Sequence, residues 1–157
     1  MKHGDGVSMR VYLDSCCYNR PFDGTTQERV NVEADAILRI LRKGEIGEIE
    51  IIGSEIILLE LWNMSDLVKK QNVLGLYRVI HSQVRLTDEI FSRSRQIMSE
   101  SNIRRKDSLQ IASAEAAGAD VMLTTDDKLE KMASRINLGV RVINPVKLLD
   151  EILYGGN

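Results

Sequence analysis

A handful of carboxylates stand where a folded chain could put them to chemical use. Asp14 closes the apolar run "RVYL" at 10–13, and Asp126 and Asp127 close "VMLTT" at 121–125. Glu60 is set among Ile56, Ile57, Leu58, Leu59, Leu61 and Trp62, and Asp107 opens the alanine-rich stretch "DSLQIASAEAAG". Taken singly, all but Asp14 have a structural reading; Asp14 alone, at a strand end, already points to function. An acid in a first helical turn complements free N–H groups, which suits Asp107. Asp126 and Asp127 suit the cap of a following helix, and Glu60 suits the exposed position of an apolar helix, since a carboxylate in such company is rarely buried without a partner or a cation. Taken together they suggest chemistry. Converging carboxylates without cations repel one another, which raises their pKa values and costs stability unless a divalent ion neutralises them. An all-oxygen donor set suits Mg²⁺ or Mn²⁺. Such an ion lowers the pKa of a bound water and stabilises charge on a phosphoryl oxygen, so phosphodiester hydrolysis fits, with no histidine or serine nucleophile needed.

The elements that must bring these groups together can be read from periodicity and punctuation. Strands are expected at 10–13, 48–52 ("EIEII"), 120–125 ("DVMLTT") and 140–143 ("VRVI"). A helix is expected from Thr25, which has capping-box spacing to Glu28, with Val30, Ala34, Ile37 and Leu41 inward and Gly44 and Gly47 at its end. Further helices are expected in "EIILLELWNM" behind a Ser54 cap, over 67–80, behind an Asp88 cap to about residue 99, from Asp107 to a stop at Gly118, from Lys128 and from Pro145. "DSCCYNRPFDGTT" reads as a loop broken by Pro21 and Gly24, and "SQVRLT" as an extended link. This alternation predicts an α/β domain with a parallel sheet covered by helices on both faces. Right-handed crossovers then gather every strand's C-terminal end at one edge, where ligands bind. Adjacent first and third strands would bring Asp14 to Asp126, with Asp107 and Glu60 reaching the same space from their helices.

Bulk properties narrow the classes. The 157 residues suit one domain, expected at 9–153 between a flexible tail at 1–8 and a frayed end at 154–157. A net charge of −2 neither demands nor forbids a nucleic-acid partner, because local patches decide. Cys16 and Cys17 are adjacent, which rules out a disulfide framework and suggests a reducing, cytoplasmic setting. The two histidines, His3 and His81, are far apart, and no cysteine–histidine spacing suits structural zinc. No membrane span is expected, because no apolar run reaches the ~18 residues one requires. The opening "MKHGDGVS" lacks the apolar core of a secretory signal.

Four stretches, "VYLDS", "SEIILLEL", "KDSLQIASAEAAGAD" and "VMLTTDDKL", in this order, resemble the motifs of the PIN domain family over most of the chain. The resemblance implies a three-layer α/β/α sandwich, Mg²⁺ or Mn²⁺, cleavage of RNA and frequent homodimers. Many small members are VapC-like toxins of type II toxin–antitoxin pairs, which implies a separately encoded antitoxin protein as partner. It assigns Asp14, Glu60, Asp107 and Asp126 as the catalytic and metal-binding acids, with Asp126 preferred to Asp127. Ser15 matches the hydroxyl residue after the first acid, and Thr124 or Thr125 the hydroxyl before the last.

The stretch "DSCCYNRPFDG" is longer than the family's usual one and suggests a subgroup with its own substrate. Asn19, Arg20 and Asp23 lie near the expected site in sequence, as substrate contacts or as loop builders. Arg104, Arg105 and Lys106 precede Asp107 and could bind RNA phosphates, although a charge run before a helix is ordinarily a solvated one. Other acid-bearing folds fit less well. A receiver domain expects a paired acid before the first-strand aspartate, a dehalogenase-type phosphatase needs an acid where Cys16 stands, and no GxxxxGK[ST] loop is present. The remaining alternative is a non-catalytic PIN-like module that binds RNA or a protein partner.

Overall fold

The computed structural model describes residues 9–155, so the tail expected at 1–8 and the last two residues lie outside the described part. Five strands form one sheet: β1 (Arg10–Leu13), β2 (Glu50–Ser54), β3 (Ser82–Val84), β4 (Val121–Leu123) and β5 (Arg141–Ile143). All pairs are parallel and the order is β3-β2-β1-β4-β5. Among the described residues eight α-helices flank the sheet: α1 (Ser15–Asn19), α2 (Glu28–Glu45), α3 (Glu55–Trp62), α4 (Leu67–Tyr77), α5 (Asp88–Ser99), α6 (Arg105–Ala116), α7 (Asp127–Ala133) and α8 (Pro145–Tyr154). With α2 packed on α8 and α5 on α6, the sheet is the middle of three layers.

Central strands covered on both faces should be apolar throughout, and they are: Val11, Tyr12, Leu13, Ile51, Ile52, Met122 and Leu123 are all at most 1% exposed. The chain runs outward from β1 through β2 to β3, then returns to build β4 and β5 on the other side of β1. That reversal opens a crevice beyond the C-terminal ends of β1 and β4, the place where ligands settle in such sheets. The register sets Leu13 beside Leu123, so the residues that follow each strand leave the sheet at the same level.

Several expectations need correction. The stretch after β1 is not an open loop. It forms α1 and a 3₁₀ turn at Arg20–Phe22, because Asp14 caps the helix and Cys17 and Tyr18 bury completely against the sheet. This packing overrides the modest helix propensities of cysteine, tyrosine and asparagine. "SQVRLT" contains a fifth strand, β3, legible only through its pairing with β2. Thr25 is not a cap; α2 begins at Glu28 behind Gln27, with no side-chain capping bond. α5 is capped by Thr87 and not by Asp88, and α6 begins at Arg105, two residues before Asp107. The Ser54 cap does form, with its hydroxyl accepting from Ile57 N at 3.1 Å. Gly118 stops α6 with φ +71°, a backbone conformation that other residues rarely adopt. At the far end, α8 keeps Tyr154 helical.

Candidate functional site

Asp14 leaves β1 and turns its carboxylate back over the start of α1. Its Oδ1 accepts from Cys17 N at 3.1 Å and from the Cys16 thiol at 2.8 Å. The residue is only 6% exposed. Burial pushes its pKa well above the usual aspartate range, and the neighbouring Cys16 pushes in the same direction. Asp126 leaves β4 in the same manner. Its Oδ1 caps α7 by accepting from Lys128 N at 3.0 Å and Leu129 N at 3.2 Å, and its own N–H donates to Thr124 Oγ1 at 3.1 Å. Asp107 projects from the first turn of α6. Burial raises its pKa most; the Arg104 guanidinium, 3.6 Å away, opposes this, and the charges of Asp126 and Glu60 reinforce it. Asp126 and Glu60 are thus close enough to Asp107 for their charges to act on its carboxyl.

Glu60 sits in the second turn of α3, half-buried. The Ser15 hydroxyl donates to its Oε1, and the Gln110 side-chain amide donates to the same oxygen at 2.9 Å. Gln110 Nε2 also donates to Ser15 Oγ at 2.9 Å, while its Oε1 accepts from Tyr12 OH at 2.5 Å. The motif reading did not include Gln110. Its signal was the i,i+3 spacing from Asp107, which places both on one face of α6.

Asp14, Glu60, Asp107 and Asp126 line one cavity of about 420 Å³ at the C-terminal edge of the sheet. Ser15, Asn19 and Thr125 line it too, with Arg20, Arg104 and Lys106 as its cations. Thr124 is buried just behind it, where its hydroxyl takes the Asp126 N–H. Asn19 donates to Ser15 O at 2.9 Å and so braces α1 as well as facing the cavity. Arg105 is exposed on α6 but does not line the cavity, and Asp127 is turned away from it into a pair with Arg29. A larger cavity, about 640 Å³, lies between α7 and β5, but its two acids already have cations: Asp127 has Arg29 and Glu130 has Lys147, each at 2.7 Å.

The donor chemistry fits a hard divalent cation. Four carboxylates face one space, and two of them are held above their usual pKa range by burial. Among the described residues, the one cation paired with any of the four is Arg104, on Asp107. The ligand atoms of Asp14, Cys16 and Cys17 also lie within 4.8 Å of one another. A hard ion nonetheless favours the oxygens. The Cys17 thiol is fully buried and donates to Leu123 O at 3.4 Å, and burial raises its pKa well above the ordinary thiol value.

A second polar cluster lies behind the site. Glu33, 2% exposed on α2, pairs with Arg20 Nε at 3.2 Å and Arg29 Nε at 3.1 Å, and accepts from Asn144 Nδ2 at 2.8 Å. It does not line the cavity. It anchors Arg20, which does line the cavity.

Fold and site together define a three-layer α/β/α domain with an acidic cavity at its strand ends. The PIN domain family model matches residues 11–135, and the chain belongs to that family, whose members are generally nucleases. Among solved structures it resembles a chain of VapBC2 from Rickettsia felis, determined bound to a DNA fragment from their promoter. The TM-score is 0.60 at 14% identity, over 87% of this chain and 98% of that one, a likeness of fold. No curated protein matches the chain. Among the described residues no helix is long and apolar enough to cross a membrane.

Proposed function

We propose that this chain is a divalent-metal-dependent endoribonuclease and the toxin of a type II toxin–antitoxin pair. The observation that carries the proposal is the shared cavity of Asp14, Glu60, Asp107 and Asp126 at the C-terminal edge of a PIN-family sheet. These four would hold Mg²⁺ or Mn²⁺. The bound ion would supply an acidified water and stabilise charge on the phosphoryl group. Ser15, Thr124 and Thr125 support the acids and their surroundings through their hydroxyls, and Asn19 braces the helix that carries Ser15. Arg20, Arg104 and Lys106 line the same cavity and would draw an RNA backbone toward the acids, with the exposed Arg105 beside them. Their cationic groups position phosphates without reading bases.

The toxin role is supported by the fold shared with VapBC2. A protein partner, either an antitoxin or a second copy of the chain, is supported by apolar side chains left in solvent where α3 meets α4: Leu59, Trp62, Leu67 and Val68 are each more than half exposed. Other residues of those helices are ordinary core, with Ile57, Leu61, Val73 and Tyr77 buried.

The test is cleavage of short RNAs in Mn²⁺ or Mg²⁺, with and without EDTA, comparing the protein with Asp14→Asn. Metal-dependent cleavage lost in the variant is expected; equal cleavage by both overturns the proposal. Co-purification with the product of an adjacent gene tests the partner separately.

A further inference from the structure

The hydrogen bonds around Glu60 have a direction. Ser54 Oγ accepts from Ile57 N, and its own hydroxyl lies 2.7 Å from Tyr12 OH. Tyr12 spends its single proton on Gln110 Oε1, so Ser54 is the donor to Tyr12. With its oxygen engaged by Tyr12, the Gln110 amide must turn its NH₂ toward Ser15 Oγ and Glu60 Oε1. Ser15, accepting from Gln110, then donates its own proton to Glu60 Oε1. Each donor in the series points toward the same carboxylate oxygen. The opposite amide orientation would set two acceptors 2.9 Å apart, Gln110 Oε1 facing Glu60 Oε1. Tyr12 and Ser54 are fully buried and Gln110 is 2% exposed, so water does not substitute for a missing member.

Resting on the nuclease reading above, we propose that Gln110 and Tyr12 are positioning residues that fix Glu60 as a one-oxygen ligand of the metal. Oε1 is occupied by two donors from the chain, and no described residue bonds Oε2. Oε2 is therefore the atom Glu60 offers to the cavity, and the carboxylate is held against rotating to offer both. Gln110 lines the same cavity, and the role proposed for it is exerted through Glu60. Tyr12 acts one step further back, by holding the amide oxygen in place with a 2.5 Å hydrogen bond. Networks of this kind tune a ligand as much as they support the fold.

The experiment is calorimetric titration of Mn²⁺ into the full chain without RNA, for the wild type, Gln110→Met and Tyr12→Phe, with melting curves of the metal-free proteins alongside. Gln110→Met keeps the side chain's length and removes every bond it makes; Mn²⁺ affinity is expected to fall by about tenfold or more. Tyr12→Phe removes the buried donor that holds the Gln110 oxygen and so loosens the amide; it should weaken Mn²⁺ in the same direction by a smaller factor, about threefold. In cleavage assays both variants should recover at raised Mn²⁺, a shift in metal requirement and not in the rate at saturation. Lowered melting temperatures with wild-type Mn²⁺ affinity would mark a purely structural role and overturn the inference. Should Gln110→Met fail to fold, Tyr12→Phe decides alone, and unchanged affinity there overturns it. Absence of Mn²⁺ binding by the wild type would instead sink the metal-nuclease reading itself.

Discussion

Arg29 holds Asp127 through both terminal guanidinium nitrogens, each 2.7 Å from a carboxylate oxygen, and so separates Asp127 from its neighbour Asp126. The pair holds the Asp127 carboxyl below its usual pKa range. Two adjacent acids at one strand end thereby receive different work: Asp126 caps α7 and faces the cavity, while Asp127 ties α7 to α2. Asp126→Ala should reduce metal-dependent cleavage by more than about 100-fold, beyond the range seen when only a supporting group is lost. Asp127→Ala should leave it within about threefold, since exposed ion pairs are weak. Parallel cleavage assays at saturating Mn²⁺ separate the two.

Burial of Asp14 makes stability depend on pH. Its pKa is raised in the folded chain, so the folded form binds more protons than the unfolded one between the ordinary aspartate value and the raised value. Ionised Asp14 therefore opposes folding at neutral pH, and the opposition fades as pH falls through the folded pKa. The amide introduced by Asp14→Asn carries no charge at any pH and still offers an oxygen to Cys17 N. Without metal, the variant should melt higher than the wild type at pH 7, and the gap should close on acidification. A gap independent of pH would contradict the assignment.

Metal that neutralises these acids should stabilise the fold. An ion that binds only the folded form stabilises by about 2.7 kcal/mol at 100 times its dissociation constant. Mn²⁺ should raise the melting temperature of the wild type, EDTA should reverse it, and Asp14→Asn should lose most of the rise. Calorimetry or differential scanning fluorimetry reads this directly.

Glu33 is the joint between the site and the outer helices. Removing its charge leaves Arg20 and Arg29 without their inner anchor and Asn144 without an acceptor. Glu33→Leu should cost about 2 kcal/mol in urea denaturation, the scale of hydrogen bonds to a charged group. It should also raise KM for RNA more than it lowers kcat, because Arg20 loses its fixed direction while the acids keep theirs.

Gly53 is needed for close approach. A Cβ there would collide with Tyr77 OH and sit 2.9 Å from Ile80 Cδ1. Tyr77 OH accepts from Ser54 N at 3.0 Å and donates to Gln83 Oε1 at 2.6 Å, so it links β2 to β3. Gly53→Ala should destabilise by about 1–3 kcal/mol through overpacking, measured by the same denaturation.

The sequence by itself determined the parallel α/β plan, the presence of acids at strand ends, the cap of α3, the start of α8 at Pro145 and the stop at Gly118. These are local matters of periodicity, cap chemistry and backbone freedom, written within a few residues of where they act. Family motifs then singled out Asp126 from Asp127, but the reason for the difference, the grip of Arg29, spans 98 positions and lies outside any motif. The helical start of "SCCYN" and the edge strand β3 were hidden because each depends on packing or pairing that short segments cannot supply alone. Only the tertiary structure set β1 beside β4, and with it Asp14 and Asp126 in one cavity. It likewise brought Tyr12 to Gln110, 98 positions apart, and turned an unremarked glutamine into the brace of Glu60. A hydrogen bond's direction is fixed by which partners are buried together, and burial is decided by the whole fold.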